Sequence, residues 1–177
     1  MDQTFDLDAA IRKVPDFPVK GILFYDITSV LMDPRAFGWC VDRMIERYGR
    51  MQIDAVASVE SRGFLFGAPL ARELGLPLLL VRKAGKLPGE TVSRTYELEY
   101  GSDTIEMHRA DLRPGMRILI VDDLIATGGT VRATADLIAD AGSETIEVFG
   151  VIGLPFLEYR ARLDPVPVHT LIDYEGE

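Results

Sequence analysis

One stretch limits what this chain can fold into: Met116-Arg-Ile-Leu-Ile-Val-Asp-Asp-Leu-Ile-Ala-Thr-Gly-Gly-Thr130. The buried-type run Ile118 to Val121 predicts a parallel strand, with Asp122 and Asp123 delivered at its carboxyl end. A loop of small residues follows, Ala126, Thr127, Gly128, Gly129 and Thr130. Val131, Thr134, Ala135, Ile138 and Ala139 then recur at helical spacing, and Gly142 stands where a helix C-terminal glycine belongs. A strand, a tight loop and a helix in that order define an α/β unit.

Each part of the unit has a chemical use. Ligands of open α/β sheets sit outside the carboxyl ends of the strands. A helix N-terminus offers free backbone N–H groups and a positive dipole end, which suit a phosphate. Gly128 and Gly129 allow close backbone approach, and Thr127 and Thr130 can add hydroxyl donors. The adjacent aspartates would repel a phosphate but suit hydroxyl groups. A diol binder beside a phosphate binder implies a ribose 5-phosphate. No Gly-Lys-Ser/Thr follows the glycines, so this is not a Walker loop, and it is not a dinucleotide G-x-G-x-x-G.

The rest of the chain supplies more strand–helix units. Asp8 to Val14 reads as a short helix ended by Pro15, and Ile22 to Ile27 as a short strand. Asp33-Pro34 opens a helix striped by Phe37, Cys40, Val41, Met44, Ile45 and Tyr48 and closed by Gly49. Ile53 to Val59, Leu76 to Val81, Thr145 to Ile152 and Val168 to Ile172 read as further strands, with a helix over about Phe64 to Leu74. Residues 84–110 break the pattern. They read as a mobile excursion that closes into a hairpin, Thr95 to Tyr100 against Thr104 to His108. The expectation is one domain over 1–177, with a mostly parallel central sheet flanked by helices.

Composition excludes several classes. A net charge of −9 argues against a general nucleic-acid binder. An acidic chain that binds a polyanion must gather its basic residues locally. No apolar run reaches the ~20 residues of a membrane span. The N-terminal segment lacks a basic-then-apolar signal pattern, and Cys40 alone cannot form an internal disulfide, so a cytoplasmic protein is expected.

Four further groups carry chemistry. Glu60-Ser-Arg62-Gly63 ends a strand and opens a helix, and Arg62 adds a fixed cation suited to a second phosphate or a pyrophosphate. Alone, the same residues fit an ordinary helix start with a surface arginine. Arg82, Lys83 and Lys86 form the local basic cluster, with Gly85, Pro88 and Gly89 suited to a hinged lid, although such a run elsewhere is a solvated loop. Period-two geometry puts Glu97 and Glu99 on one hairpin face, where a carboxylate could exchange a proton with a base nitrogen or merely face solvent. Phe24 could stack on a planar ring or belong to the core; its residue type fits both.

Taken together, FP-x-x-GI-x-F-x-DIT, ESRGF-x-FG, RK-x-GKLPG, YELEYG and VDDL-x-ATGGT resemble the type I phosphoribosyltransferases, and KLPG with LEYG resembles their adenine-using branch. The resemblance runs from Asp16 to Glu175. It implies transfer of phosphoribosyl from phosphoribosyl pyrophosphate (PRPP) to adenine, giving AMP and pyrophosphate. It also implies Mg²⁺ held mainly through the ligand's own oxygens, without a dedicated protein ligand, and a homodimer. By the same resemblance Asp122 and Asp123 hold the ribose hydroxyls, and the amides of Ala126, Thr127, Gly128, Gly129 and Thr130 hold the 5-phosphate. Arg62, Arg82, Lys83, Lys86 and Tyr100 serve the pyrophosphate, some of them from a neighbouring subunit. Leu23, Phe24 and Tyr25 meet the base within a hood of about residues 1–30, and Glu99, on a flexible loop over about 84–110, transfers the proton. Tyr25 departs from the family's usual arginine and Gly153 from its usual glutamate. Two other readings keep the PRPP site: a different purine base (guanine, hypoxanthine or xanthine), and a PRPP-sensing regulator without catalysis.

Overall fold

A computed structural model describes residues 5–97 and 101–176. The predicted α/β architecture is present. Its sheet has seven strands in the order β5-β6-β4-β3-β7-β8-β9. These are β3 (Ala55–Val59), β4 (Leu78–Lys83), β5 (Thr91–Glu97), β6 (Ser102–His108), β7 (Arg117–Ile125), β8 (Glu144–Gly153) and β9 (Val168–Asp173). Strands β4, β3, β7, β8 and β9 run parallel, while β6 and β5 add an antiparallel edge. A separate ribbon pairs β1 (Arg12–Pro15) with β2 (Leu23–Asp26).

Helices cover both faces. On β7, Leu119 and Val121 point to one side, where α3 (Pro34–Tyr48) and α4 (Gly63–Leu74) supply Cys40, Met44, Phe66 and Leu70, all fully buried. Ile118 and Ile120 point to the other, where α5 (Gly129–Asp140) supplies Val131, Leu137 and Ile138. This is the two-residue alternation of a strand buried on both faces. Removing a side chain such as Phe66 or Leu70 from water contributes about 1.5–3 kcal/mol. Asp33 caps α3 by accepting a bond from the Arg35 N–H at 2.9 Å, with Pro34 at the first helical position.

The structure corrects several expectations. The first helix, α1, covers only Leu7–Ala10, and Arg12–Pro15 is a strand. Val14 precedes a proline, which disfavours helix, and the segment finds a pairing partner in Leu23–Asp26. Two short helices were not anticipated, α2 (Thr28–Met32) and α6 (Tyr159–Leu163); each is too short for a clear periodic signal. The hairpin begins at Thr91 rather than Thr95, and β6 pairs with β4, so the hairpin extends the main sheet. The segment before it is tied down: the buried Glu106 accepts bonds from the N–H groups of Lys86 and Leu87, both at 2.8 Å.

Strand β7 also runs further than its apolar stretch. Its pairing with β3 ends at Val121, opposite Ser58, but its pairing with β8 continues to Ile125, opposite Gly153. Asp122 and Asp123 therefore lie within a strand whose neighbour on one side has already stopped. That step in the sheet edge makes a cleft.

A buried polar cluster joins helix to sheet. The register of β7 on β8 shifts between Ile118 and Leu119, so Leu119 pairs with Glu147. Glu147 is 7% exposed. Arg47 donates to it from Nε and Nη2, each at 2.7 Å, and the Tyr48 hydroxyl donates at 2.6 Å. Burial alone would raise the Glu147 pKa, but these three donors outweigh it and hold the carboxyl below its ordinary value.

Candidate active site

The cleft has a volume of about 330 Å³ and is lined by Glu60, Arg62, Arg82, Lys83, Tyr96, Asp122, Asp123 and Thr130, among others. Three strand ends build it. Past Val59, the chain turns through Ser61 and Arg62 into α4. Arg82 and Lys83 close β4, and past the end of β3 project the aspartates of β7. Gly63 permits this closeness, because a Cβ there would lie 2.8 Å from the Val121 carbonyl oxygen and 3.0 Å from Asp122 Oδ1.

A second, adjoining pocket of about 110 Å³ is lined by Asp122 and by residues 124–131. Its wall is the loop Ala126-Thr127-Gly128 and the first turn of α5, whose N–H groups have no earlier helical carbonyl to bond. Gly128 adopts φ +77, and a Cβ on it would lie 3.1 Å from Tyr159 Cβ. The loop is thus seated against α6, and Gly128 is required twice, by conformation and by space. The Tyr96 hydroxyl lies 2.9 Å from Thr130 Oγ1, which joins the hairpin to this loop.

The charges are arranged in pairs. Arg62 Nε donates to Asp123 Oδ2 at 2.5 Å. Burial works against the charge on Arg62, but Asp123 more than offsets it and raises the guanidinium pKa. Burial, reinforced by the neighbouring Asp123 carboxylate, pushes Asp122 well above the usual carboxylate range. Arg82 donates to Glu60 from Nε at 3.2 Å and from Nη2 at 3.3 Å, and from Nη1 to the Lys86 carbonyl at 2.9 Å. The Lys83 ammonium pairs with Asp103 at 2.9 Å.

The sequence-predicted residues divide as follows. Asp122, Asp123, Arg62, Arg82, Lys83 and Thr130 meet in the cleft, and Ala126, Thr127, Gly128 and Gly129 line the adjoining pocket. Lys86 is outside the cleft lining and contributes its backbone to Glu106 and Arg82. Glu99 and Tyr100 lie outside the described residues. On β2, Leu23 packs on the core and Tyr25 is buried, stacked on Tyr174 at 3.8 Å between centroids. Strand alternation turns the Tyr25 side chain toward the core, and Phe24 takes the other face, edge-on to Phe17 at 5.0 Å. At Gly153 a Cβ would meet the Asp173 carboxylate and the Tyr159 hydroxyl, so a larger residue there requires these side chains to shift.

Sequence reasoning missed Glu60, Tyr96, Asp103 and Tyr159. Glu60 was legible in outline, since it stands beside Arg62 at a strand's end. Asp103 and Tyr159 were not, because only the hairpin register and the α6 packing bring them in.

Among the described residues, no group of three or more His, Cys, Asp or Glu is placed to hold a metal ion. None of their helices is long and apolar enough to cross a membrane.

Comparison with known proteins agrees with this geometry. Residues 36–162 match the phosphoribosyl transferase domain family. The chain belongs to that family, in its type I form. Within it the similarity is to adenine phosphoribosyltransferases. The Treponema denticola enzyme of that name is 53% identical, over 97% of this chain and 90% of the relative. The Chloroflexus aurantiacus one is 50% identical, over 96% and 98%. The crystal structure of adenine phosphoribosyltransferase from Thermoanaerobacter pseudethanolicus superposes with a TM-score of 0.91 at 45% identity, covering 96% of this chain and 98% of that one. The Saccharomyces cerevisiae enzyme, solved with an imino-altritol bisphosphate and adenine, gives 0.88 at 41%, covering 94% and 97%.

Proposed function

We propose that the chain transfers the 5-phosphoribosyl group of PRPP to adenine, forming AMP and releasing pyrophosphate. The observation that carries the reading is the junction of the two pockets at Asp122. A ribose 5-phosphate fits there with its phosphate on the amides of 126–130 and its 2′- and 3′-hydroxyls against Asp122 and Asp123. Its C1 then faces the side of the cleft that holds Arg62, Arg82 and Lys83, where the pyrophosphate leaves.

Displacement at C1 builds positive charge on the ribose and negative charge on the pyrophosphate. In this reading Asp122 and Asp123 lie on the ribose side and Arg82 and Lys83 on the leaving-group side, so that each developing charge is opposed by its opposite. Phe24, on the ribbon strand β2, offers a stacking face for the base, and Glu99 is the proposed proton-transfer group. The cleft's carboxylates are hard oxygen donors of the kind Mg²⁺ accepts, and the ion is taken to be carried in on PRPP oxygens and water. Bound there, Mg²⁺ would supply charge against the pyrophosphate. The reading takes 1–177 as one catalytic unit, with about 1–30 as hood and about 84–110 as catalytic loop and hairpin; a homodimer and a cytoplasmic location follow from the family resemblance.

The test is a panel of adenine, guanine, hypoxanthine and xanthine with PRPP and Mg²⁺, read as pyrophosphate release. Adenine alone is expected to support turnover at a low base concentration. Turnover with another purine instead moves the specificity, and PRPP binding without turnover on any base favours the sensor.

A further inference from the structure

The pyrophosphate side of the cleft is already occupied by acids of the protein's own. Arg82 presents the planar edge Nε–Nη2, the geometry that takes two oxygens of a phosphate or a carboxylate. Both nitrogens donate to Glu60, at 3.2 and 3.3 Å. Glu60 also accepts the backbone N–H of Lys83 at 3.0 Å. One carboxylate therefore collects three N–H bonds at the mouth of β3 and β4. It is partly open to the cleft, its side chain 19% exposed beside an Arg82 side chain at 30%.

The other two cations of the cleft are engaged likewise, Arg62 by Asp123 and the Lys83 ammonium by Asp103. Each of the three described cations that line the cleft thus has an acid partner: Arg82 has Glu60, Arg62 has Asp123 and Lys83 has Asp103. A doubly or triply charged diphosphate entering here cannot simply add to free cations. It must take the Arg82 edge from a carboxylate of like charge.

We infer that Glu60 is a built-in stand-in for the leaving group, holding Arg82 in the shape of an anion site and setting the affinity of that site by competing with the diphosphate for the same N–H groups. The inference rests on the pyrophosphate assignment above. Glu60 acts through Arg82 and is a positioning residue. Its competition weakens the hold on free pyrophosphate and so favours product departure. The 5-phosphate pocket, which contains neither Glu60 nor Arg82, is not subject to it.

The sign of the effect separates this role from a structural one. A residue that merely supports Arg82 would weaken pyrophosphate binding when altered, whereas a competitor would strengthen it. Titration calorimetry with pyrophosphate, and separately with ribose 5-phosphate, in the presence of Mg²⁺, reads both pockets. Glu60→Gln keeps the side-chain shape, removes the charge and leaves an acceptor for the Lys83 N–H. It is expected to bind pyrophosphate about tenfold more tightly, because a like charge has been removed from the anion's path. Ribose 5-phosphate affinity should stay within about twofold, a change of less than 0.5 kcal/mol. Adding Arg82→Gln to Glu60→Gln should abolish the gain. Glu60→Asp, which retains the charge on a shorter arm, should show a smaller gain and serves if the glutamine variant folds poorly. Unchanged or weaker pyrophosphate binding in both folded variants overturns the role of Glu60 alone. Wild-type protein that binds ribose 5-phosphate but no pyrophosphate overturns the site assignment beneath it.

Discussion

Asp123→Asn is expected to lower kcat/KM for PRPP about 100-fold, or about 2.7 kcal/mol of transition-state stabilisation. The estimate is in line with hydrogen bonds to charged groups, worth about 1.5–3 kcal/mol each. Three effects act together. The amide loses the charge that opposes the cation growing on the ribose. It also exchanges an acceptor oxygen for a donor at one of the two positions facing the diol. Finally, it turns the 2.5 Å ion pair with Arg62 into a hydrogen bond to a neutral amide and removes the neighbouring charge that helps push Asp122 upward, so the Asp122 carboxyl should titrate lower in the variant. Asparagine is isosteric and can still accept from Arg62 Nε, so the melting temperature should move little. Steady-state kinetics over a PRPP series, with a thermal melt, checks both halves. Wild-type kinetics in a folded variant would remove Asp123 from the diol.

Glu147→Ala is expected to act on stability and not on chemistry. It strips three hydrogen bonds from Arg47 and Tyr48 and leaves a cavity between α3 and β8. Breaking a buried ion pair from one side costs about 3–5 kcal/mol. The low end applies because the Arg47 side chain is 35% exposed and can turn to water. For a chain of this size, about 3 kcal/mol corresponds to a melting temperature lower by about 6–12 °C. The pH dependence has a definite sign. Glu147 is held below its ordinary value in the folded protein. Its contribution is therefore complete above the unfolded pKa of about 4.3 and is lost as pH falls through the lower folded value. Wild-type stability should fall more steeply than that of the variant as pH drops below about 4.3, and the two curves should converge. Parallel curves would assign the stabilisation elsewhere.

The parts of this molecule that were legible in its sequence are local. Strand, loop and helix over 116–142 could be read because each signal lies within a few residues of its consequence: a β-branched run, two glycines, then a helical stripe. The same holds for α3, whose cap, first proline and apolar spacing are adjacent in the chain. The ribbon β1–β2 was harder, since a four-residue strand has too few alternations to separate it from a helix turn. What could not be read was pairing at a distance. Arg62 and Asp123 both announced themselves as functional types, but that they meet depends on where β3 stops beside β7. Arg82 and Lys83 read as a free basic cluster, yet Glu60 and Asp103 come to meet them through the β4 register and the hairpin. Glu147 carried no signal within the strand Thr145 to Ile152; its bonds to Arg47 and Tyr48 reach about 100 residues back along the chain. Tyr25 followed the alternation rule in principle, but which face of β2 is the core is decided by Tyr174, nearly 150 residues away.

The measurement that bears most directly on the account is a crystal structure of the protein soaked with AMP. The 5′-phosphate should lie against the amides of residues 126–130, and both ribose hydroxyls within hydrogen-bond distance of Asp122 and Asp123. AMP seated elsewhere, with the 110 Å³ pocket beside Gly128 left free of phosphate, would contradict it.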